Sequence, residues 1–342
     1  MFAEKLIKSM KKIIYLYLFV MLLAFNPIKS IGQFYNFNTP RLKKEVELIK
    51  KSKLYVPIDI KAFDVNAEYA EIIKKYWTLS EVEVIDPSEL GANLKEDCYY
   101  LTLSVSYPAG TNLEKPATKL SYKYTLWKPD PDEFAKLKKK KSNKKIDFEK
   151  LASEYAFIYL SFDPAVSFFL NDIFKGEFFG AGLALYGGPG MFKNCIQEFQ
   201  SYLLEPDKKA VKSSYFSTKA LYVCNEKELQ NVKEGTLYIP NTTLIRHSVH
   251  PLKYVNNPEE PYDVKKIFEK YPGKYEVIDI KELSEKILKE ENAFYYLIKR
   301  GSTISIINSF TGEIIYEEAM DDTNDFKPKD LKSLIEIIGK LK

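Results

Sequence analysis

The stretch that decides the fold is Leu54-Tyr55-Val56-Pro57, because it recurs at 237–240 as Leu-Tyr-Ile-Pro. Two more matches follow in the same order. Glu-Val-Ile-Asp at 83–86 recurs unchanged at 276–279, and Tyr-Tyr-Leu at 99–101 recurs at 295–297. Three collinear matches need only modest loop insertions between them, as expected for duplicated domains. The sequence therefore predicts an internal duplication.

Each copy is predicted to run β-α-β-α-β-β and to end in a helix. In the second copy, strand 275–280 precedes helix 281–290, and a closing helix at 330–341 carries an apolar stripe at helical spacing. The predicted fold class is α/β (α+β): two tandem, duplicated small domains, each a mixed sheet with helices packed on one face. The first copy departs from the scheme after about residue 127, and residues 189–204 are predicted to form its closing helix.

The predicted domains are residues 33–208 and 209–342. A polar run beginning Glu205-Pro206-Asp207 marks the boundary between them. Two unusual segments lie in the first domain. One is a Lys-rich insertion at about 129–153, and the other is a Gly-rich segment at 176–190.

Residues 1–32 have the pattern of a signal peptide. Four lysines precede an uncharged apolar run at 13–25, and Ser30 and Gly32 flank Ile31 as in a small-residue cleavage site. Thirteen helical residues span only about 20 Å, which is less than the roughly 30 Å hydrocarbon core. We therefore expect export to the periplasm or cell surface, with an uncleaved anchor as the alternative.

Charge argues against a nucleic-acid partner. Of the 51 basic and 47 acidic residues, five and one lie in residues 1–32, so the remainder has no formal net charge. Arginine usually makes bidentate contacts to phosphates and bases, and the chain has only Arg41, Arg246 and Arg300.

The composition also excludes several kinds of site. Two histidines and three cysteines cannot build a disulfide scaffold or a multi-histidine metal cluster. His247 and His250 lie in a polar stretch with no recognisable third ligand, so we expect no metal and no cofactor. Apolar flanks favour buried free thiols for Cys98, Cys195 and Cys224, with one disulfide as the alternative.

Two segments are candidate interaction surfaces. The Lys-rich insertion could contact anionic lipid headgroups, although a solvated loop is the favoured explanation. Its core is Lys138, Lys139, Lys140 and Lys141. The Gly-rich segment lacks both phosphate-loop spacings and is better explained by close backbone packing. Its aromatic residues Phe178, Phe179 and Tyr186 are the alternative, an apolar partner surface.

No motif indicates catalysis. The chain lacks a G-x-S-x-G elbow, and its only two histidines lie close together. A pair of carboxylates suited to glycoside cleavage stays open, because their separation is invisible in a sequence.

The second copy resembles the amino-terminal domain of the periplasmic protein TolB and related cell-envelope assembly proteins. The resemblance covers 236–342, through Tyr-Glu-Val-Ile-Asp at 275–279 and Phe-Thr-Gly-Glu-Ile-Ile at 310–315, and more loosely 53–127. The chain also resembles uncharacterised secreted proteins of Gram-negative bacteria. Neither resemblance implies catalytic residues, and we expect no β-propeller like the one that follows in TolB.

The expected function is a noncatalytic binding or assembly module of the envelope, using a sheet edge or the inter-domain groove, with an envelope protein or glycan as partner. The alternatives are a hydrolase acting on envelope polysaccharide or peptide, and a peripheral membrane protein. The oligomeric state stays open.

Overall fold

A computed structural model describes residues 39–58, 60, 64–106, 121–139, 151–160, 188–205, 221–244, 263–289, 291–300, 303–320 and 327–341. All of them belong to one compact unit of the chain. The predicted signal peptide and the predicted boundary near residue 208 lie outside these ranges. Among the helices described, none is long and apolar enough to cross a bilayer.

The first repeat is a five-stranded sheet with its helices, as far as the structure describes it. Its elements are α1 (Thr39–Ile49), β1 (Lys53–Pro57), α2 (Asp64–Tyr76), β2 (Glu81–Ile85), β3 (Tyr99–Ser106), β4 (Ser121–Pro129), α3 (Pro131–Lys139), β5 (Ala152–Leu160) and α4 (Gly188–Leu204). A 3₁₀ turn, Pro87–Glu89, follows β2.

The second repeat repeats this plan and adds a strand at its start. Its described elements are β6 (Leu221–Cys224), α5 (Glu226–Glu234), β7 (Thr236–Pro240), α6 (Val264–Ile267), β8 (Lys274–Ile278), α7 (Ile280–Lys289), β9 (Tyr295–Arg300), β10 (Thr303–Asn308), β11 (Ile314–Ala319) and α8 (Lys332–Lys340). Two 3₁₀ turns, Asn241–Leu244 and Pro328–Leu331, follow β7 and precede α8.

The two sheets have the same strand order and the same register. The first runs β2-β1-β3-β4-β5, and the second runs β8-β7-β9-β10-β11-β6. In both, the second strand in this order, β1 or β7, pairs in parallel with its two neighbours. Val56 pairs with Val84 as Ile239 pairs with Val277. The predicted fold class, two similar mixed-sheet domains, is confirmed.

A β-bulge is also duplicated. The pairing of the fourth and fifth strands shifts between Leu126 and Trp127 in the first sheet, and between Ile306 and Ile307 in the second. These are equivalent places, because Trp127 lies opposite Tyr100 and Ile307 lies opposite Tyr296. A bulge bends and twists a strand locally, so both sheets have kept the same distortion.

The recurring Glu-Val-Ile-Asp motif has a structural explanation. Ile85 and Ile278 are both buried. The aspartate that follows each of them accepts a backbone hydrogen bond two residues ahead: Asp86 from Ser88 at 2.9 Å, and Asp279 from Lys281 at 2.8 Å. The motif thus ends an edge strand, anchors it in the core and caps the next turn or helix.

One face of each sheet is covered by the matching set of helices. In the first repeat, α1, α2 and α4 bury this face, with Phe192, Ile196 and Phe199 of α4 in the core. In the second repeat, α5, the segment beginning with α6, and α8 do so, with Leu334 and Ile338 of α8 fully buried. The predicted apolar stripe of the closing helix is confirmed.

The opposite faces differ, and here the prediction of helices on a single face is wrong for the second repeat. Its opposite face is covered by Leu283 and Ile287 of α7 and by Met191 of α4. Every residue of β10 is buried, so both faces of this sheet need a cover. In the first repeat the connection after β2 has no helix to match α7; it contributes Leu90 and Cys98.

Helix α4 joins the two repeats. Asn194, which is fully buried, accepts a hydrogen bond from the hydroxyl of Tyr296 at 3.1 Å and donates one to the carbonyl of Ser309 at 2.8 Å. Gly312 has a φ of 71°, and a Cβ there would lie 2.5 Å from the Asn194 carbonyl oxygen. The described part of the junction is therefore packed and hydrogen-bonded between α4 and the Phe-Thr-Gly turn.

Candidate functional site

The predicted lysine surface is only partly described. Lys138 and Lys139 lie exposed in the last turn of α3. The Nζ of Lys138 lies 4.3 Å from the ring centroid of Phe134. Lys140 and Lys141 fall outside the described residues, so the lipid-binding surface stays a prediction.

The predicted aromatic surface, Phe178, Phe179 and Tyr186, also falls outside the described residues, as do His247 and His250. The last two glycines of the Gly-rich segment are described, at the start of α4. Gly188 has a φ of 70°, and the backbone N–H of Gly190 donates to the hydroxyl of Ser284 at 2.8 Å. For these two glycines, close packing against α7 explains the residue type.

In the first repeat a buried carboxylate connects α1 to the sheet. Glu45 is 7% exposed, accepts a hydrogen bond from the hydroxyl of Tyr99, and lies 2.7 Å from the Nζ of Lys128. This Nζ also lies 5.6 and 5.5 Å from the ring centroids of Tyr99 and Tyr155. Burial disfavours the ammonium, but the hydrogen bond to Glu45 and the Tyr155 contact together outweigh it and raise the pKa of Lys128.

The second repeat contains the same arrangement. The hydroxyl of Tyr295 donates to Glu228 of α5 at 2.5 Å, and the side-chain amide of Asn308 lies 3.5 Å from the same oxygen. Burial, reinforced by the hydrogen bond to Glu228, raises the pKa of Tyr295 to about 12. By strand register Asn308 occupies the place of Lys128.

Sequence reasoning missed these two networks. Glu45 and Glu228 are separated by the offset that relates Leu54 to Leu237, so 43–57 aligns with 226–240 without a gap. Comparison upstream of the Leu-Tyr match would have found the shared glutamate. Its contact with a tyrosine of the sheet in both copies could not have been read from one strand motif.

The networks have the chemistry of a scaffold. Burial raises the pKa of Tyr99 as well as that of Tyr295, so both phenols stay protonated and act as donors to their glutamates. A phenol serving as general base would need a lowered pKa. The same pairing in both repeats favours a role in fixing the first helix of each repeat to its third strand.

A buried lysine lies in the junction between the repeats. Lys193 of α4 is 1% exposed, and its Nζ lies 3.4 Å from the carbonyl of Ile287 near the end of α7. The same Nζ lies 5.3 and 5.8 Å from the ring centroids of Tyr76 and Phe310. A cation at the carboxyl end of a helix is favourable, so this contact stabilises the junction.

The three cysteines are free thiols. Cys98 is buried, and burial raises the pKa of its thiol, which makes it a weak nucleophile at neutral pH. Cys195 is half-buried. The expectation of a buried thiol is wrong for Cys224, because it ends β6, the last strand of its sheet, and is exposed.

The candidate binding surfaces are the two matching edge strands. β2 and β8 are the outermost strands at the parallel end of their sheets. On the helix-covered side, Val82 and Val84 are half-buried. At the place of Val84, Val277 is 43% exposed.

The backbone of each edge strand presents hydrogen-bonding groups that point away from the described part of its sheet. The N–H of Ile58 donates to the carbonyl of Ile85 at 3.0 Å, so the backbone of Ile85 faces β1. Successive residues of a strand alternate, and the backbone groups of Val82 and Val84 therefore face away from the sheet. The matched register gives Tyr275 and Val277 the same orientation in β8.

No group of three or more side chains suited to hold a metal ion occurs among the described residues. Comparison with protein-family models, with curated proteins and with solved structures finds no match to this chain. The resemblance to the TolB amino-terminal domain therefore stays a prediction.

Proposed function

We propose that the chain is a noncatalytic binding or assembly module of the bacterial cell envelope, which binds an extended segment of an envelope protein at the β2 edge. The observation that supports this most directly is the outward backbone of Val82 and Val84. An added strand gains affinity from such main-chain groups and specificity from alternate side chains.

The side chains of β2 define the chemistry of the segment. Glu81 and Glu83 lie on the side away from the helices, and Lys53 lies 2.8 and 3.0 Å from their carboxylates. The valines form the other side. We therefore expect the bound segment to alternate apolar residues with polar ones.

The titratable groups of the two networks support a noncatalytic role. The carboxylates of Glu45 and Glu228 are already bound by protein donors from the adjacent sheet. These groups hold the fold in both repeats, so within the described residues we assign recognition to the strand edges instead.

Photo-crosslinking in living cells tests the binding edge. A photoreactive residue at position 81 should crosslink to an envelope protein, whereas one at the exposed position 74 of α2 should not. Val84→Pro removes one outward N–H that the bound segment would use, so it should abolish the crosslink. The variant should still fold, because an edge strand tolerates proline where its N–H faces solvent. Val84→Thr keeps the N–H and should keep the crosslink. Equal crosslinking in both variants, with unchanged circular dichroism, would contradict the proposal.

Export is tested separately by cell fractionation. The chain should be found in the periplasm or at the cell surface, and deletion of residues 1–32 should retain it in the cytoplasm. Export that survives this deletion would refute the assignment of the signal peptide.

A further inference from the structure

We propose that the β8 edge pairs with the β8 edge of a second copy of the chain, in an antiparallel arrangement centred on Tyr275. The chain would then form a two-fold symmetric dimer in which the two six-stranded sheets are continuous. This interaction is additional to partner binding at β2.

The orientation of the backbone limits which residues can lie opposite each other. Antiparallel strands alternate between residue pairs that exchange hydrogen bonds and pairs that do not. With Tyr275 opposite Tyr275 of the second copy, the outward groups of both residues meet in a hydrogen-bonded pair. Val277 then lies opposite Gly273 of the second copy, and its backbone also faces outward.

Charge selects this register. Lys274 lies opposite Glu276 of the second copy, and the symmetry repeats the contact. Both side chains are exposed in the described structure. They occupy the non-hydrogen-bonded pairs, in which the side chains approach most closely. The edge is therefore complementary to itself, as a two-fold interface requires.

Burial supports the same edge. Val277 is 43% exposed, one of the few large apolar side chains of the described structure to be so exposed. In the proposed register it lies diagonally across from Tyr275 of the second copy, on the same side of the sheet. Pairing would cover both residues.

The first repeat provides an internal comparison. The places of Lys274 and Glu276 are taken in β2 by Glu81 and Glu83. The same symmetric register would bring two glutamates together, and like charges directly opposite each other are destabilising. Lys53, which binds both glutamates, is replaced by Thr236 in the second repeat. Self-pairing is thus specific to β8.

Sedimentation velocity tests the proposal on protein purified from the cells that express it. The wild type should form a dimer that weakens as salt is raised. Lys274→Glu and Glu276→Lys should each be monomeric, because each places like charges opposite each other. The double variant, with the charges exchanged, should regain the dimer. Lys227→Glu makes the same charge change on α5 and should leave the dimer unchanged.

A mixing experiment fixes the register. The two single variants are complementary to each other, so an equimolar mixture should form a heterodimer although each alone is monomeric. A monomeric wild type, single variants that still dimerise, or a mixture that stays monomeric would each overturn the proposal. Circular dichroism checks that every variant is folded.

Discussion

The two repeats agree in their sheets and differ in what covers them. Strand order, register, bulge and the hydrogen bond from a tyrosine to a helix glutamate are common to both. The face opposite the common helices is covered by an irregular connection in the first repeat, and by α7 together with α4 in the second. The duplicated sheet has therefore been conserved more strictly than its cover, and α4 serves both repeats while α8, its counterpart, serves one.

The largest difference in the effect of a substitution on stability is expected between the glycines of α4 and α8. A Cβ at Gly190 would lie 2.1 Å from the carbonyl oxygen of Ser284, whereas a Cβ at Gly339 meets nothing within 4 Å. We expect Gly190→Ala to lower the free energy of unfolding by about 4 kcal/mol, because α4 and α7 would have to separate. Gly339→Ala should raise it by roughly 0.5 kcal/mol through helix propensity.

Urea unfolding measures both changes in free energy, and tryptophan fluorescence distinguishes unfolding of the first repeat from unfolding of the whole chain. Both tryptophans, Trp77 and Trp127, lie in the first repeat, whereas circular dichroism reports on both repeats. If α4 serves both sheets, the two signals should change together in Gly190→Ala. If only one signal changes in this variant, the two repeats unfold independently and α4 does not stabilise both.

Substitutions at the two network glutamates, Glu45 and Glu228, should differ by a smaller amount in their effect on stability. Glu45→Gln leaves the ammonium of Lys128 without its carboxylate, whereas Glu228→Gln leaves only neutral donors. The Lys128 side chain is 21% exposed, so solvent moderates the loss. We expect about 2 to 3 kcal/mol for Glu45→Gln and about 1 kcal/mol for Glu228→Gln in urea unfolding. Equal losses would show that the ion pair adds nothing to the shared tyrosine contact.

Giving β2 the charged residues of β8 tests the comparison through self-association, for which we expect a smaller change in free energy. The double change Glu81→Lys with Lys53→Thr gives β2 the charges of β8. Each molecule would then have two self-complementary edges, and sedimentation should detect species larger than the dimer. Lys53→Thr alone leaves two glutamates at the edge and serves as the control. A double variant that remains dimeric would show that these charges do not decide pairing.

Much of the sheet architecture could be predicted from three short motifs, because each marks a position with a fixed physical role. Leu54 and Leu237 are buried on interior strands of the sheets, and Ile85 and Ile278 end edge strands. Leu101 is a core residue of β3. Such positions depend on local periodicity, which a sequence reveals. The predicted strand at 275–280 nevertheless ends at Ile278, because propensity alone does not fix where a short element stops.

The covers and junction could not be predicted in the same way. Nothing local in Gly190 or Asn194 indicates that they contact α7 and the turn at 309–312, about 100 residues away. Burial of Glu45, on helix α1, depends on Tyr99 and Lys128, which come from two strands of the sheet. These features arise from tertiary packing, so they become visible only when the chain is folded.

The smallest difference is expected at the aspartates of the recurring motif. Asp279 caps the ten-residue helix α7, whereas Asp86 caps a single 3₁₀ turn. Asp279→Ala should therefore cost about 1 kcal/mol and Asp86→Ala less.

The hydrogen bond from the backbone N–H of Lys281, aided by Asn241, lowers the pKa of Asp279. A lowered pKa contributes stability above the unfolded value of about 4, and that stability disappears as the pH falls through the folded value. Thermal unfolding of the wild type and Asp279→Ala should thus differ at neutral pH and converge as the pH falls below the lowered pKa of Asp279. A difference that persists at low pH would mean that the side chain acts by packing instead of by its charge.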